Sequence, residues 1–268
     1  MDPDLKLHPM AKTKTHARGT TRQKDRPEVT GDKTPKRGML SGFFKRAVGK
    51  VFGRHSEDVP VVRPQRPNVR PIAPTKSETA LMKPFEGLSL EHIHLPGTQA
   101  EFKKAAREII AAGVVGFDTE SKPVFNAGQK NHGPQVVQFA LRDKAFIFQL
   151  HRRECWSFVS DLLESEQVLK VGFGLKNDRG QIRSKLGVNL QATLDLDQVF
   201  RKRGYSGQIG VRAAVGAVLN QSFPKSKSVT TSNWAAPDLT SKQLLYAAND
   251  AFAALRVMEA LGLGRSAR

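Results

Sequence analysis

VGFDTE, residues 115–120, decides how the rest of the chain is read. Val114, Val115 and Phe117 are β-formers, so the stretch is expected to be a strand. Side chains alternate along a strand with period two, so Asp118 and Glu120 project the same way from its end. Two carboxylates pointing together at the end of a buried strand repel each other and lose solvation. The arrangement is costly unless a cation sits between them. An oxygen-only acidic pocket suits a hard divalent ion such as Mg²⁺ or Mn²⁺. A strand end with two solvated acids has the same local sequence, so the rest of the chain must decide.

The chain has 268 residues and 39% apolar content, enough for one sizeable domain plus an extension. Its single cysteine, Cys155, leaves no disulfide and no cysteine-based zinc site within the chain. No apolar run reaches the roughly 18 residues of a transmembrane helix. The start, MDPDLKLHPM, lacks the pattern of a secretory signal, so a reducing, cytoplasmic setting is expected. The net charge of +18 points to a polyanionic partner, nucleic acid first and acidic membrane second.

That charge is unevenly spread. Residues 1–84 hold 19 basic and 8 acidic side chains together with 10 of the 15 prolines. Such a composition cannot bury enough surface to offset ordering entropy, so a disordered basic extension is expected over 1–84, with the folded domain over 85–268. Within the extension, MLSGFFKRAVGKVFGR (39–54) spaces Leu40, Phe43, Phe44, Val48, Val51 and Phe52 as a helix would, with basic residues between them. It reads as an amphipathic helix for a partner protein, an anionic membrane or nucleic acid.

Past Pro84, Thr98 and Glu101 form a capping-box pattern ahead of FKKAAREIIAA. The VGFDTE strand, PQVVQFAL (134–141) and AFIFQL (145–150) read as a meander of three strands. ECWSFVSDLLES is a helix, QVLKVGFG (167–174) a strand, and a helix opens near Asn177 and Asp178. Residues 192–200 and 209–221 read as helical. Thr240 and Gln243 repeat the capping pattern before a last helix that runs to Gly262. The alternation of strands and helices is that of an α/β fold.

Tyr246 and Asp250 stand four apart in the last helix and share one face, amid an apolar stripe. An aspartate in that setting is unusual unless paired or metal-bound. Asp178 follows a strand, where ligand sites of open α/β sheets form.

Taken together these residues resemble the DEDD superfamily of 3′–5′ exonucleases, in the subclass with tyrosine in the third motif. The likeness is greatest to Werner helicase-type exonuclease domains and more distant to ribonuclease D. VGFDTES (115–121) resembles the first motif and VGFGLKNDRGQI (171–182) the second. KSVTTSNWAAPDLTSKQLLYAANDAFAAL (227–255) resembles the third. The resemblance covers about residues 86–262 and implies an RNase H-like fold with a mixed sheet flanked by helices. It implies hydrolysis of terminal phosphodiesters at DNA or RNA 3′ ends, releasing nucleoside 5′-monophosphates. Asp118, Glu120, Asp178 and Asp250 would hold two divalent ions, Mg²⁺ or Mn²⁺. In that scheme Asp118 bridges both ions, Glu120 and Asp250 complete the site of the ion that binds the attacking water, and Asp178 supports the second ion. A free phenol has a pKa near 10, so Tyr246 is assigned to orienting the water rather than to standing as a base. One departure is Gly174, where many relatives carry asparagine four residues before the second-motif aspartate. The rival reading is a catalytically silent nucleic-acid-binding module on a nuclease fold.

Other residues carry weaker signals. Lys225 and Lys227 precede the third motif and either touch phosphates or are plain surface charge. Arg201, Lys202 and Arg203 form a basic cluster that a helix C-terminus explains as well as nucleic acid does. The spacing of His92 and His94 is poor support for metal ligation. Phe139, Phe173 and Trp234 are expected in the core, and Phe125 and Asn126 are candidates to meet the 3′ end.

Overall fold

The computed structural model describes residues 70–123 and 132–264. Residues 1–69, with the 39–54 stretch, and Phe125 and Asn126 lie outside the described residues. The fold begins upstream of the boundary that composition marks at 84/85. Helix α1 (Lys76–Ala80) is closed by a capping box between Thr75 and Glu78, and Thr79 is buried. Strand β1 (Lys83–Pro84) and strand β2 (Ile93–His94) follow, each too short to show a periodicity.

Helix α2 (Gln99–Ala112) starts at the Thr98–Glu101 capping box and ends at Gly113, whose φ of +66° closes it in the left-handed region. Strands β3 (Val114–Ser121), β4 (Pro134–Ala140) and β5 (Ala145–Gln149) form the expected antiparallel meander. Helix α3 (Trp156–Glu164) leads to β6 (Leu169–Gly172), which pairs parallel with β3. Helix α4 (Lys176–Leu186) then leads to strand β7 (Thr193–Asp195), parallel to β6.

This last strand corrects the helical reading of residues 192–200, since helix α5 (Leu196–Lys202) starts only at Leu196. Asp195 explains the break. It is the N-cap of α5, and its carboxylate also accepts from the backbone N–H groups of Gly174 and Leu175 at 3.0 and 3.1 Å. Helix α6 (Val211–Leu219), strand β8 (Gln221–Ser222) against β1, and helix α7 (Lys227–Thr230) precede helix α8 (Ser241–Ala260). The six-stranded sheet has the order β2-β5-β4-β3-β6-β7 and mixes parallel with antiparallel pairs. Among the described residues no helix is long and apolar enough to cross a membrane.

Each face of the sheet has its own core. Val115 and Phe117 of β3 point into one with Phe139, Phe148, Phe102, Ile109, Val159 and Ile182, under α2, α3 and α4. On the other face α8 lies along β3 and β4, its Ala247, Ala248 and Ala251 packed with Val136, Ala140, Ile147 and Trp234. Small residues let the two elements approach closely. A methyl group at Gly116 would overlap the backbone carbonyl of Ala251, so glycine there sets how near α8 sits to β3. Asp118 and Glu120 share the face of Gly116, and Asp250 precedes Ala251, so this close approach gathers the acids. Lys170 of β6 is fully buried and donates to the carbonyls of Leu162 and Ser165, which satisfies the C-terminal end of α3.

Candidate active site

Asp118 and Glu120 sit at the C-terminal part of β3, beside Asp250 of α8. Each offers a carboxylate oxygen, and these oxygens lie within 4.8 Å of one another. Glu120 is 8% and Asp250 4% exposed. Burial pushes the Asp118 carboxyl well above its usual range, and the charges of Asp178 and Asp250 push it further. Burial, with Asp118 and Asp250 next, raises Glu120 to about 10. Burial also raises Asp250, against the opposing pull of Lys225 and of a hydrogen bond from Tyr246. The cluster therefore has more buried negative charge than its protein surroundings neutralise. Asp250 Oδ1 is buried and has no hydrogen-bond partner in the protein. Three converging carboxylates and one orphaned oxygen fit a divalent cation with oxygen ligands.

Asp178 is placed differently. It lies in the first turn of α4, on the opposite side of β3 from α8, and accepts a hydrogen bond of 2.5 Å from Thr119 Oγ1. It lies near enough for its charge to act on Asp118, but it is not one of the three converging acids. Its carboxyl is raised by burial, with the Thr119 bond lowering it in part. Gly174, where relatives carry asparagine, has φ +68° in the turn that feeds α4. Glycine and asparagine are the residues that enter this left-handed region most readily, so the turn is served either way.

Tyr246 lies one turn before Asp250, and its hydroxyl accepts a 3.1 Å hydrogen bond from Thr230 Oγ1. Burial, with the Asp250 charge next, raises the phenol above its ordinary value, so it stays protonated and donates. Trp234 is buried as expected, with its ring 6.0 Å from that of Tyr246 and its indole N–H on the Thr230 carbonyl. Gln243, the capping residue of α8, also donates to Ser232 Oγ and the Asn233 carbonyl. The third-motif segment is thereby tied to the start of α8.

Lys225 is the residue whose place the sequence did not give. Its ammonium is 3.0 Å from Asp250 Oδ2 and 5.4 Å from the Tyr246 ring. Burial works against its charge, but Asp250, Tyr246 and Asp118 outweigh this and raise it above the usual lysine value. Lys227 opens α7 and is exposed. Thr119 and Thr230 also escaped the sequence reading. The signal for Thr119 was its strand position, on the face away from Asp118. Arg201 is occupied by Asp197 at 2.7 Å and Arg203 by the Leu261 carbonyl, so that helix end has partners within the chain. The His94 ring lies 5.4 Å from that of Phe146, tilted by 31°.

A cavity of about 210 Å³ opens at the acids, lined by Asp118, Phe173, Gln208, Lys225 and Asp250 among others. A larger, mainly apolar one of about 540 Å³ adjoins Tyr246, with Phe85, Phe223, Val229 and Leu245 in its wall.

The chain is similar to known proteins in sequence and in fold. The 3′–5′ exonuclease family matches residues 93–263, a span that holds all five of Asp118, Glu120, Asp178, Tyr246 and Asp250. The mouse (Mus musculus) bifunctional 3′–5′ exonuclease/ATP-dependent helicase WRN is 29% identical over 158 residues, 58% of this chain and 11% of that protein. The exonuclease 3′–5′ domain-containing protein 2 of Drosophila melanogaster is 29% identical over 167 residues, 62% of this chain and 28% of that protein. The chain thus spans only a minor part of these relatives. Among solved structures, the Aedes aegypti Nibbler EXO domain superposes with a TM-score of 0.57 at 24% identity, over 66% of this chain and 89% of that one. The Trypanosoma brucei RNase D complex with RNA U12 gives 0.57 at 19% identity, over 65% and 63%. These likenesses give the RNase H-like fold, with its mixed sheet between helices. On the family match, the chain belongs to the 3′–5′ exonucleases, hydrolases of the DEDD superfamily.

Proposed function

We propose that the protein is a metal-dependent 3′–5′ exonuclease that hydrolyses the terminal phosphodiester of DNA or RNA and releases nucleoside 5′-monophosphates. The observation that carries this reading is the convergence of Asp118, Glu120 and Asp250 within 4.8 Å in a buried setting. Asp118, Glu120, Asp178 and Asp250 would hold two divalent ions, Mg²⁺ or Mn²⁺, which would supply a lowered water pKa and positive charge against the reacting oxygens.

The chain's own residues do the rest. Asp118, on the face of β3 toward α8 yet within reach of the Asp178 charge, serves both halves of the site. Glu120 and Asp250 complete the half on the α8 side. Asp178, on the α4 side, contributes through its second oxygen while Thr119 holds the first. Tyr246 stays protonated and orients the attacking water by donating a hydrogen bond, with Thr230 fixing its hydroxyl. It belongs with the tyrosine subclass of the superfamily. The apolar cavity beside Tyr246 has room for a nucleobase. The basic segment ahead of the described fold, residues 1–69 with 16 basic and 7 acidic side chains, serves as an electrostatic tether for the polyanion.

The test is polarity and product. The purified 268-residue chain with Mg²⁺ or Mn²⁺ should convert a 5′-labelled oligonucleotide into a ladder that shortens by one nucleotide at a time, and EDTA should stop it. Run on DNA and RNA, single-stranded and duplex, the assay also supplies the substrate preference. Nucleic-acid binding without any shortening, in either metal and on all four substrates, would favour the silent binding module instead.

A further inference from the structure

The four acids are accounted for by the proposed reaction, but the cation among them is not. Lys225 stands in the short segment between β8 and α7, and its backbone is well anchored. Phe223, two residues earlier, is buried and meets Phe85 edge-on at 5.4 Å, while β8 pairs with β1. From there the side chain enters the acidic cavity and places its ammonium 3.0 Å from Asp250 Oδ2, a carboxylate whose side chain is 3% exposed. Lys225 itself keeps 37% side-chain exposure, so it faces solvent on one side and the acids on the other. An ammonium on a four-carbon stem is a mobile point charge, unlike the planar fork of arginine.

Two facts set its role. A divalent ion taken up by the unpartnered Oδ1 of Asp250 draws charge from the same carboxylate and repels the ammonium on Oδ2, so the ion and Lys225 oppose each other there. Charge balance then gives the lysine somewhere to go. Four carboxylates balance two divalent ions, so Lys225 leaves one positive charge over, which one phosphodiester neutralises. We propose that Lys225 is a displaceable cation: it holds Asp250 until a divalent ion takes that carboxylate over, and then pairs with the phosphate of the terminal nucleotide. Lys225 is therefore a substrate-binding residue that opposes metal and favours polyanion. The inference rests on the exonuclease reading and assigns a role within the same site.

Calorimetric Mn²⁺ titration of the full chain, wild type against Lys225→Met, tests the first half. Methionine keeps the length of the stem and removes the charge. The variant should bind Mn²⁺ about 10-fold more tightly, the scale of one lost charge-assisted hydrogen bond. It should bind a 3′-ended oligonucleotide, in Ca²⁺ to suppress turnover, about 10-fold more weakly. Unchanged or weaker Mn²⁺ binding would overturn the proposal, as would unchanged oligonucleotide affinity. Wild type that takes up no Mn²⁺ would instead sink the exonuclease reading itself, so the two failures are distinct. Lys225 labelling by reductive methylation, read by mass spectrometry on the unmutated protein, needs no variant to fold. Labelling should rise on Mn²⁺ addition and fall again when oligonucleotide follows. A Lys225 whose labelling is indifferent to both would also overturn the proposal.

Discussion

The two faces of β3 treat their acids differently. On the α8 face, Asp118, Glu120 and Asp250 converge within 4.8 Å, the last two buried and Asp118 half-buried, with one ammonium beside them. On the α4 face, Asp178 is held by Thr119 and stands apart from the three. The same strand builds both arrangements through its period-two alternation. Glycine at 116 brings α8 close, while Thr119 reaches the other way to α4. One half of the site is thus concentrated by helix packing, and the other is tethered by a single hydroxyl. The first half should be the more sensitive to change.

The largest effect should come from Asp250→Ala, which removes a carboxylate from the crowded half. Mononucleotide release should drop by about 10³-fold or more, with Mn²⁺ affinity falling alongside in calorimetry. Tyr246→Phe keeps the ring against Trp234 and deletes only the hydroxyl. Turnover should fall by about 10²-fold while Mn²⁺ affinity stays near wild type. A full-speed Tyr246→Phe enzyme would remove the tyrosine from the mechanism.

Thr119→Val breaks the tether on the α4 side and keeps a β-branched residue in the strand. Activity should fall by about 10-fold at limiting metal and recover in part at high Mn²⁺, because Asp178 is freed rather than lost. A Thr119→Val loss as deep as that of Asp250→Ala would erase the contrast between the two faces.

A further effect is on stability rather than on activity. Glu120 has a folded pKa of about 10 against an ordinary 4.5, so the folded state retains its proton over a range where the unfolded chain has lost it. That contribution is fully present below pH 4.5 and is lost as pH rises toward about 10. In EDTA the Tm should therefore fall between about pH 6 and 9, and Mn²⁺ should flatten the slope. Glu120→Gln should flatten it without metal. An EDTA slope of the opposite sign would show that the cluster is not strained by its own charge.

The long elements were legible because their periods are strong. The capping boxes at Thr98 and Thr240, the three-strand meander and the alanine-rich last helix all follow from sequence. Strands β1, β2, β7 and β8 are two or three residues long and exist only through their partners, so no local pattern marks them. The helical reading around 192–200 missed the strand at 193–195 because Asp195, besides capping α5, accepts from the backbone N–H groups of Gly174 and Leu175, a long-range role. The α1 segment was hidden by the basic, proline-rich composition around it, although Thr79 packs close to Gly216 of α6. In the site, period two pairs Asp118 with Glu120, and Asp250 joins them only through the resemblance of the three motifs. The pairing of Thr119 with Asp178 could not, since it spans 59 residues of sequence, and neither could the salt bridge of Lys225 to Asp250 across 25.

The most direct measurement is mononucleotide release in Mg²⁺ or Mn²⁺ by wild type and by an Asp118→Asn, Asp250→Asn double mutant. Both substitutions keep the side-chain shape and remove the charge. We expect steady release of 5′-monophosphates by wild type and none above background by the double mutant, with both proteins folded. Equal release by the two would mean that these carboxylates do not carry the reaction.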